Sequence, residues 1–311
     1  MPTSIFKNIF RVIGVLAKLM RRSFSELKAN DPMRMAGATA FFTTFALPAI
    51  LIILIQLFGL FLNPRKISSE LIDRLANVLG NTSAQQIKQT LEGFNSLSKN
   101  WYVTIFGFLF LIFVATNLFE VIKNSLDQIW NIRVKTHPGI IFNIKNKARS
   151  ISIILLAGLL FFIGLFTEGM QSFMADYVED IWPSGGLIIV FIANEIFFVI
   201  VVTIWFTNLF RFLTAGRPKF SHAMLGGLFT AVLFTVGKIF LRHVMGYSNI
   251  NTIYGASGSI VLILLFVFYS SIIFYYGGCF IKVLSEEYGS PIKPVREAFS
   301  FELLEVNPEK K

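Results

Sequence analysis

Three histidines, His137, His222 and His243, have the side chains best suited to acid–base or metal chemistry at neutral pH, and their spacing argues against both. None stands at ligand distance in sequence from another histidine or a paired acid. The one cysteine, Cys279, can build neither a cysteine zinc site nor an intrachain disulfide. Cleaving a phosphodiester needs a general acid–base pair or a metal held by His, Asp and Glu. No HxHxDH-like run, Walker A loop or nucleophile elbow occurs. The chain therefore reads as a non-enzyme, with no catalytic residue, metal site or cofactor.

More informative are polar side chains inside long apolar runs, where hydrocarbon makes them costly unless they face a bundle interior or a water-filled cavity. Asn117, Glu120, Asn124, Asp127 and Asn131 recur at spacings of three and four, one stripe leaving the end of an apolar segment. Asp127 and Asn131 fit a solvated helix end; Asn117 and Glu120 lie deeper and are candidates to line a cavity. Asn194 and Glu195 sit in another apolar segment, Glu195 roughly 12 Å inside its boundary at the helical rise per residue. Lys238 lies about 26 Å along the next segment from the opposite side, which brings it to a similar depth. We expect Glu195 and Lys238 to face one outward-open polar cavity and to pair, directly or through water. The alternative has Lys238 snorkelling to headgroups while Glu195 bonds locally.

The elements that must position these residues are transmembrane helices. The chain has 311 residues, 54% hydrophobic and only 15% charged, with 35 phenylalanines. Soluble domains carry more charge and fewer long apolar runs. Spans are predicted at about Ala36–Leu62, Trp101–Ile122, Ser150–Thr167, Leu187–Phe210, His222–Leu241 and Ser259–Val283, giving an all-α integral membrane protein of about six helices. Pro48 should kink the first span. A turn at Tyr254-Gly255 is either a hinge before the sixth span or a plain tight loop. Ala223, Gly227, Ala231 and Thr235 share one face of the fifth span and read as a packing seam, as do Gly277 and Gly278 in the sixth.

Residues 1–30 form a basic amphipathic helix, with Ile5, Ile9, Ile13, Leu16, Met20, Phe24 and Leu27 on one stripe, suited to an anionic leaflet. Asp31-Pro32 reads as N-cap and first-turn proline of the following helix. Residues 31–285 form the membrane domain, and a polar tail fills 286–311. Between the first two spans, about 64–99, the stripes Ile67, Leu71, Leu75, Val78 and Ile87, Leu91, Phe94 predict a surface helical hairpin broken at Gly80-Asn81. Of the 28 lysines and arginines, 21 fall on the side of the two termini. That places both ends in the cytoplasm and accounts for the net charge of +10 without nucleic acid.

Three stretches carry a resemblance. AGATAFFTTFALPAIL (Ala36–Leu51), SLDQIWNI (Ser125–Ile132) and Gly216–Gly289, from GRPKFSHAMLGGLFTAVLFTVGKIF through NTIYGASGSI to YYGGCFIKVLSEEYG, are similar to the YihY/BrkB family of bacterial inner-membrane proteins. The resemblance implies six spans and the inner membrane. The family bears an old ribonuclease label, a virulence label from serum resistance, and suspected roles in lipid or small-molecule transport. Related sequences often carry an acid where this chain has Cys279, which removes any mechanism that depends on that carboxylate.

The functional expectation is a transporter or flippase-like protein for a lipid or small amphiphile. Motion would be passive or ion-coupled, through a polar cavity, with membrane lipids as partners and oligomerisation left open. The rival expectation is a non-transporting membrane scaffold that supports envelope integrity. An open cavity reaching the midplane favours the first, a solid Phe-filled bundle the second.

Overall fold

In the computed structural model the described residues are 2–59, 64–79, 81–96, 101–136, 142, 144–145, 147–160, 163, 186–247 and 258–302. Helix α1 covers Pro2–Ala29, α2 Pro32–Gly59, α3 Pro64–Leu79, α4 Asn81–Ser96 and α5 Trp101–Ile129. Helix α6 runs through 147–160, α7 is Gly186–Asn208, α8 Phe220–Tyr247 and α9 Gly258–Glu287. Among the described residues four stretches are long and apolar enough to cross a membrane: Pro32–Ile55, Glu195–Leu213, Phe220–Phe240 and Ile260–Glu287. Their apolar residues do not all point inward. Ile192, Ile196, Ile200 and Ile204 repeat every fourth residue along α7 and are all exposed, as are Phe106, Phe110 and Phe113 on α5. Such rows suit hydrocarbon and would be costly in water.

Helix α2 is continuous through Pro48, because the backbone group a proline frees in mid-helix can be satisfied within a bundle. Asp31 stands at the N-cap as expected, its carbonyl accepting the Met35 N–H at 3.2 Å; its φ of 52° is left-handed, which turns the chain out of α1 before Pro32 opens α2.

Helix α7 packs on α8, α8 on α9, α9 on α2 and α2 on α5. The α7–α8 contact is close because of glycine. A Cβ at Gly227 would come within 2.9 Å of the Thr203 carbonyl oxygen, a backbone atom that cannot turn aside. Ala223 and Ala231, on the same face, are fully buried. Aromatic rings fill the space among α7, α8 and α9: Phe206 lies 5.9 Å from Phe234 and 5.7 Å from Phe274, with Phe210 stacked on Phe274 at 4.8 Å.

The two ends of the bundle differ. At one, Ile67 and Leu71 of α3 and Ile87 and Leu91 of α4 close over Ala49, Leu51 and Ile52 of α2 and Ile263 of α9. We call this the hairpin end. At the other, basic end, the chain is stitched by short strands: β1 (Ile132–Val134) pairs antiparallel with β4 (Ala298–Ser300), and β2 (Gly216–Arg217) with β3 (Lys293–Pro294). The segment expected as a polar tail therefore folds back on the bundle as far as it is described. Phe301 N–H donates to the Asn131 carbonyl at 3.0 Å and Val295 N–H to the Ala215 carbonyl at 2.8 Å.

Helix α1 also differs from expectation. Leu19, Ser23 and Leu27 are buried, Leu19 packing on Phe280, Val283 and Leu284 of α9. Lys18 and Arg22 bridge to Glu287, and Glu26 to Lys282. Val15, Leu16 and Phe24 remain exposed, so α1 covers the bundle with one face and presents a second apolar face outward.

Candidate functional site

Glu195 on α7 and Lys238 on α8 meet inside the bundle. Lys238 Nζ stands 3.7 Å from Glu195 Oε2 and 3.8 Å from the centroid of the Phe198 ring. Helices α7 and α8 run antiparallel, so residues on facing turns come together at equal depth. The ion pair is incomplete. Glu195 Oε2 is buried and has no hydrogen-bond partner among the described residues, and 3.7 Å is beyond hydrogen-bond reach. Lys238 instead spreads its charge between the carboxylate and the aromatic face, a cation–π contact that strengthens when water is excluded. A carboxylate oxygen left unsatisfied in an apolar bundle is costly, and it is able to take a proton, an ion or a polar ligand atom.

The other candidates do not join this pair. Asn117 is half-buried on α5, and Glu120, three residues on, is exposed. Asn194 lies on α7, its side chain outside the described residues, as is Gly255. Pro48 is half-buried within α2. His222 Nδ1 and Ser285 Oγ lie 3.2 Å apart in a buried contact between α8 and α9, so this histidine serves packing. Cys279 is fully buried on α9, one residue past Gly278, whose carbonyl accepts the Trp130 indole N–H at 2.9 Å.

Asp127 corrects the expectation of a solvated helix end. It is buried at the basic end, where its carboxylate accepts the Lys123 ammonium at 2.9 Å and the Ala215 backbone N–H at 2.8 Å. Burial pushes this carboxyl above its ordinary value, while Lys123, the Ala215 N–H and Arg217 pull it back. Asn131, at φ 53°, ends the helix and turns the chain into β1. Helical spacing could not reveal the site, because Ala215 lies 88 residues away along the chain. The one local signal was Lys123, four residues before the acid on the same helix face.

A second cluster surrounds Asp127. Between α7 and β2 the chain makes a π-helical turn, Leu209–Leu213, carrying Arg211. Arg211 donates to the Pro218 carbonyl, and Arg217 Nη1 donates to the carbonyls of Arg211 and Thr214 at 2.8 and 2.7 Å. Burial lowers the Arg217 guanidinium to about 10, and the charges of Arg149 and Arg211 add to that shift while Asp127 opposes it. The group remains a cation at neutral pH.

The match to the family model described as virulence factor BrkB covers residues 23–299, which takes in α2 through β3 and most of β4. The chain belongs to this family. Among curated relatives it is 27% identical over 210 residues to a UPF0761 membrane protein of Glaesserella parasuis, covering 66% of this chain and 69% of that protein. It is 22% identical over 271 residues to a UPF0761 membrane protein of Haemophilus influenzae, covering 86% and 94%. A Histophilus somni member is 25% identical over 264 residues, covering 84% and 86%. No solved structure matches. The family match and the apolar helices make this a multi-pass, all-α membrane protein.

Proposed function

We propose that this BrkB-family chain moves a lipid or small amphiphile across the bacterial inner membrane, passively or ion-coupled, through a polar path that includes Glu195 and Lys238. The supporting observation is the unsatisfied Glu195 Oε2, 3.7 Å from Lys238 Nζ inside the bundle. Ionisable residues held within spans are expensive, and their usual return is a route for a polar group or an ion. The excess of lysine and arginine at the basic end supports cytoplasmic termini, which would set the pair in the outer half. On its cytoplasmic side the layer of Phe206, Phe210, Phe234 and Phe274 closes the bundle. A substrate would cross that layer only when α7 and α8 move relative to α9.

The same aromatic layer favours a second reading, a membrane scaffold without transport. The two separate in proteoliposomes holding a headgroup-labelled phospholipid and an outside-only quencher. Transport predicts quenching beyond half of the label in wild-type vesicles, falling toward the protein-free level with Glu195→Gln. Identical traces from wild-type and empty vesicles, with folded protein, remove passive lipid movement and leave coupled solute transport or the scaffold.

A further inference from the structure

Helix α1 crosses α9 at the basic end, and its contacts fix which way it faces. The Tyr276 hydroxyl donates to the Met20 carbonyl at 2.9 Å, and the Phe24 ring meets the Tyr276 ring edge-on at 6.1 Å. At the end of α9, about 16 Å further along at the helical rise, Glu287 takes Lys18 at 3.0 Å and Arg22 at 2.5 Å. At about 100° per residue, Met20 and Phe24 lie on the side of α1 opposite Lys18 and Arg22. One side of α1 therefore sits deeper along the span and the other nearer its end. A helix placed so lies across the bundle, in the plane of the membrane surface. Phe24 is exposed, with the Lys28 ammonium 4.8 Å above its ring. An aromatic ring below a cation is the arrangement that suits the boundary between hydrocarbon and headgroups.

Two sets of contacts hold α1, and they differ in kind. Leu19, Ser23 and Leu27 are buried, and Glu26 pairs with Lys282, whose side chain is only 14% exposed. Lys18, by contrast, is 62% exposed and Arg22 44%, and both go to acids that end α9, with Glu286 3.7 Å from Arg22. Exposed ion pairs of this kind contribute little, and a cation near an anionic leaflet gains a comparable amount from it. Residues 14–30 carry Lys18, Arg21, Arg22 and Lys28 against one acid, Glu26, so the helix as a whole is drawn to negative charge. We propose that α1 docks on the anionic phospholipid leaflet, where lipid phosphates take Lys18 and Arg22 from Glu286 and Glu287. The buried seam and the Glu26–Lys282 pair keep the helix on the bundle meanwhile. On a neutral leaflet the pairs with Glu286 and Glu287 persist. Leaflet charge then sets how firmly α1 grips the end of α9, whether or not the bundle transports anything.

The test uses the full-length wild-type chain in phosphatidylcholine vesicles and in vesicles enriched in phosphatidylglycerol. A water-soluble carbodiimide joins a lysine to a carboxylate in contact with it, and peptide mass spectrometry reads the yield. Two crosslinks report from one sample: Lys18 to Glu287, and Lys282 to Glu26 as the internal reference. Phosphatidylglycerol should lower the first relative to the second about five-fold, as expected for one interfacial cation. An unchanged ratio overturns the proposal. So does a fall of both crosslinks together, because α1 would then leave the bundle altogether. The orientation is checked separately with a fluorophore on Ala17→Cys or Ala29→Cys, both at exposed positions, Cys279 being fully buried. Ala17 lies on the Phe24 side of α1 and Ala29 on the Lys18 and Arg22 side. Nitroxides on the lipid chains should quench the label at 17 and spare the label at 29. Equal quenching at the two sites removes the in-plane placement on which the docking rests.

Discussion

Two acid–lysine pairs in this protein use the same chemistry differently. Lys123 and Asp127 lie on one helix, 2.9 Å apart, and the carboxylate also takes the Ala215 N–H, so both its oxygens are occupied. Glu195 and Lys238 come from two helices, 3.7 Å apart, and the carboxylate oxygen facing the ammonium has no hydrogen-bond partner among the described residues. The first pair joins α5 to the turn before β2 and is satisfied by backbone that cannot move without unfolding the turn. The second depends on two helices staying at one separation, so a small shift makes or breaks it. A saturated pair holds a fold, whereas an unsaturated one can respond to a proton or ligand.

That contrast breaks first if Asp127 proves dispensable. Asp127→Ala leaves the Lys123 ammonium, 11% exposed, and the Ala215 N–H without their acceptor. Removing one partner of a buried pair costs about 3–5 kcal/mol. Thermal melting in detergent should show a large loss or no folded protein. A variant that melts with wild type would show that the basic end is held by its strands and α1, not by this carboxylate. Next in size is Gly227→Ala, where the new Cβ meets the Thr203 carbonyl and α7 must move away from α8. Overpacking of this kind costs about 1–3 kcal/mol, and by widening the same contact it should also separate Glu195 from Lys238. Unchanged melting, with crosslinking yields between cysteines placed on α7 and α8 also unchanged, would remove the claim that glycine sets this spacing.

Much of the architecture was legible because membrane helices announce themselves. The predicted spans coincide with α2, α5 and α7 to α9, and the stripes Ile67/Leu71 and Ile87/Leu91 are the faces that close the hairpin onto α2 and α9. Glu195 and Lys238 stood out as charges in apolar runs, and depth along two antiparallel helices was enough to put them together. What failed to show was whatever depends on distant chain. Asp127 looked like a solvated end because its acceptor role is defined by Ala215. The strands β1 to β4 are two or three residues long, too short for any alternation to register. The stripe of α1 reads as lipid-facing, yet its own Leu27 is buried, as are Leu19 and Ser23 offset from it, and Leu19 packs on α9. Amphipathicity shows that a face will be covered and leaves open by what.

The sharpest use of the comparison is the variant expected to disturb stability least. Glu195→Gln keeps the side chain's size, removes the negative charge, and leaves Lys238 its contact with the Phe198 ring. The Glu195 side chain is 34% exposed, so the attraction lost is partly screened. The stability change should stay within about 1 kcal/mol. If translocation nevertheless falls to the protein-free level, the carboxylate serves movement and not the fold, the reverse of Asp127. Lys238→Met should then stop movement as well, because it leaves the Glu195 carboxylate without the cation beside it. A melting loss in Glu195→Gln as large as that in Asp127→Ala would make both pairs structural. The unpartnered oxygen would then be a cost the bundle tolerates, and the scaffold reading would gain what the transport reading lost.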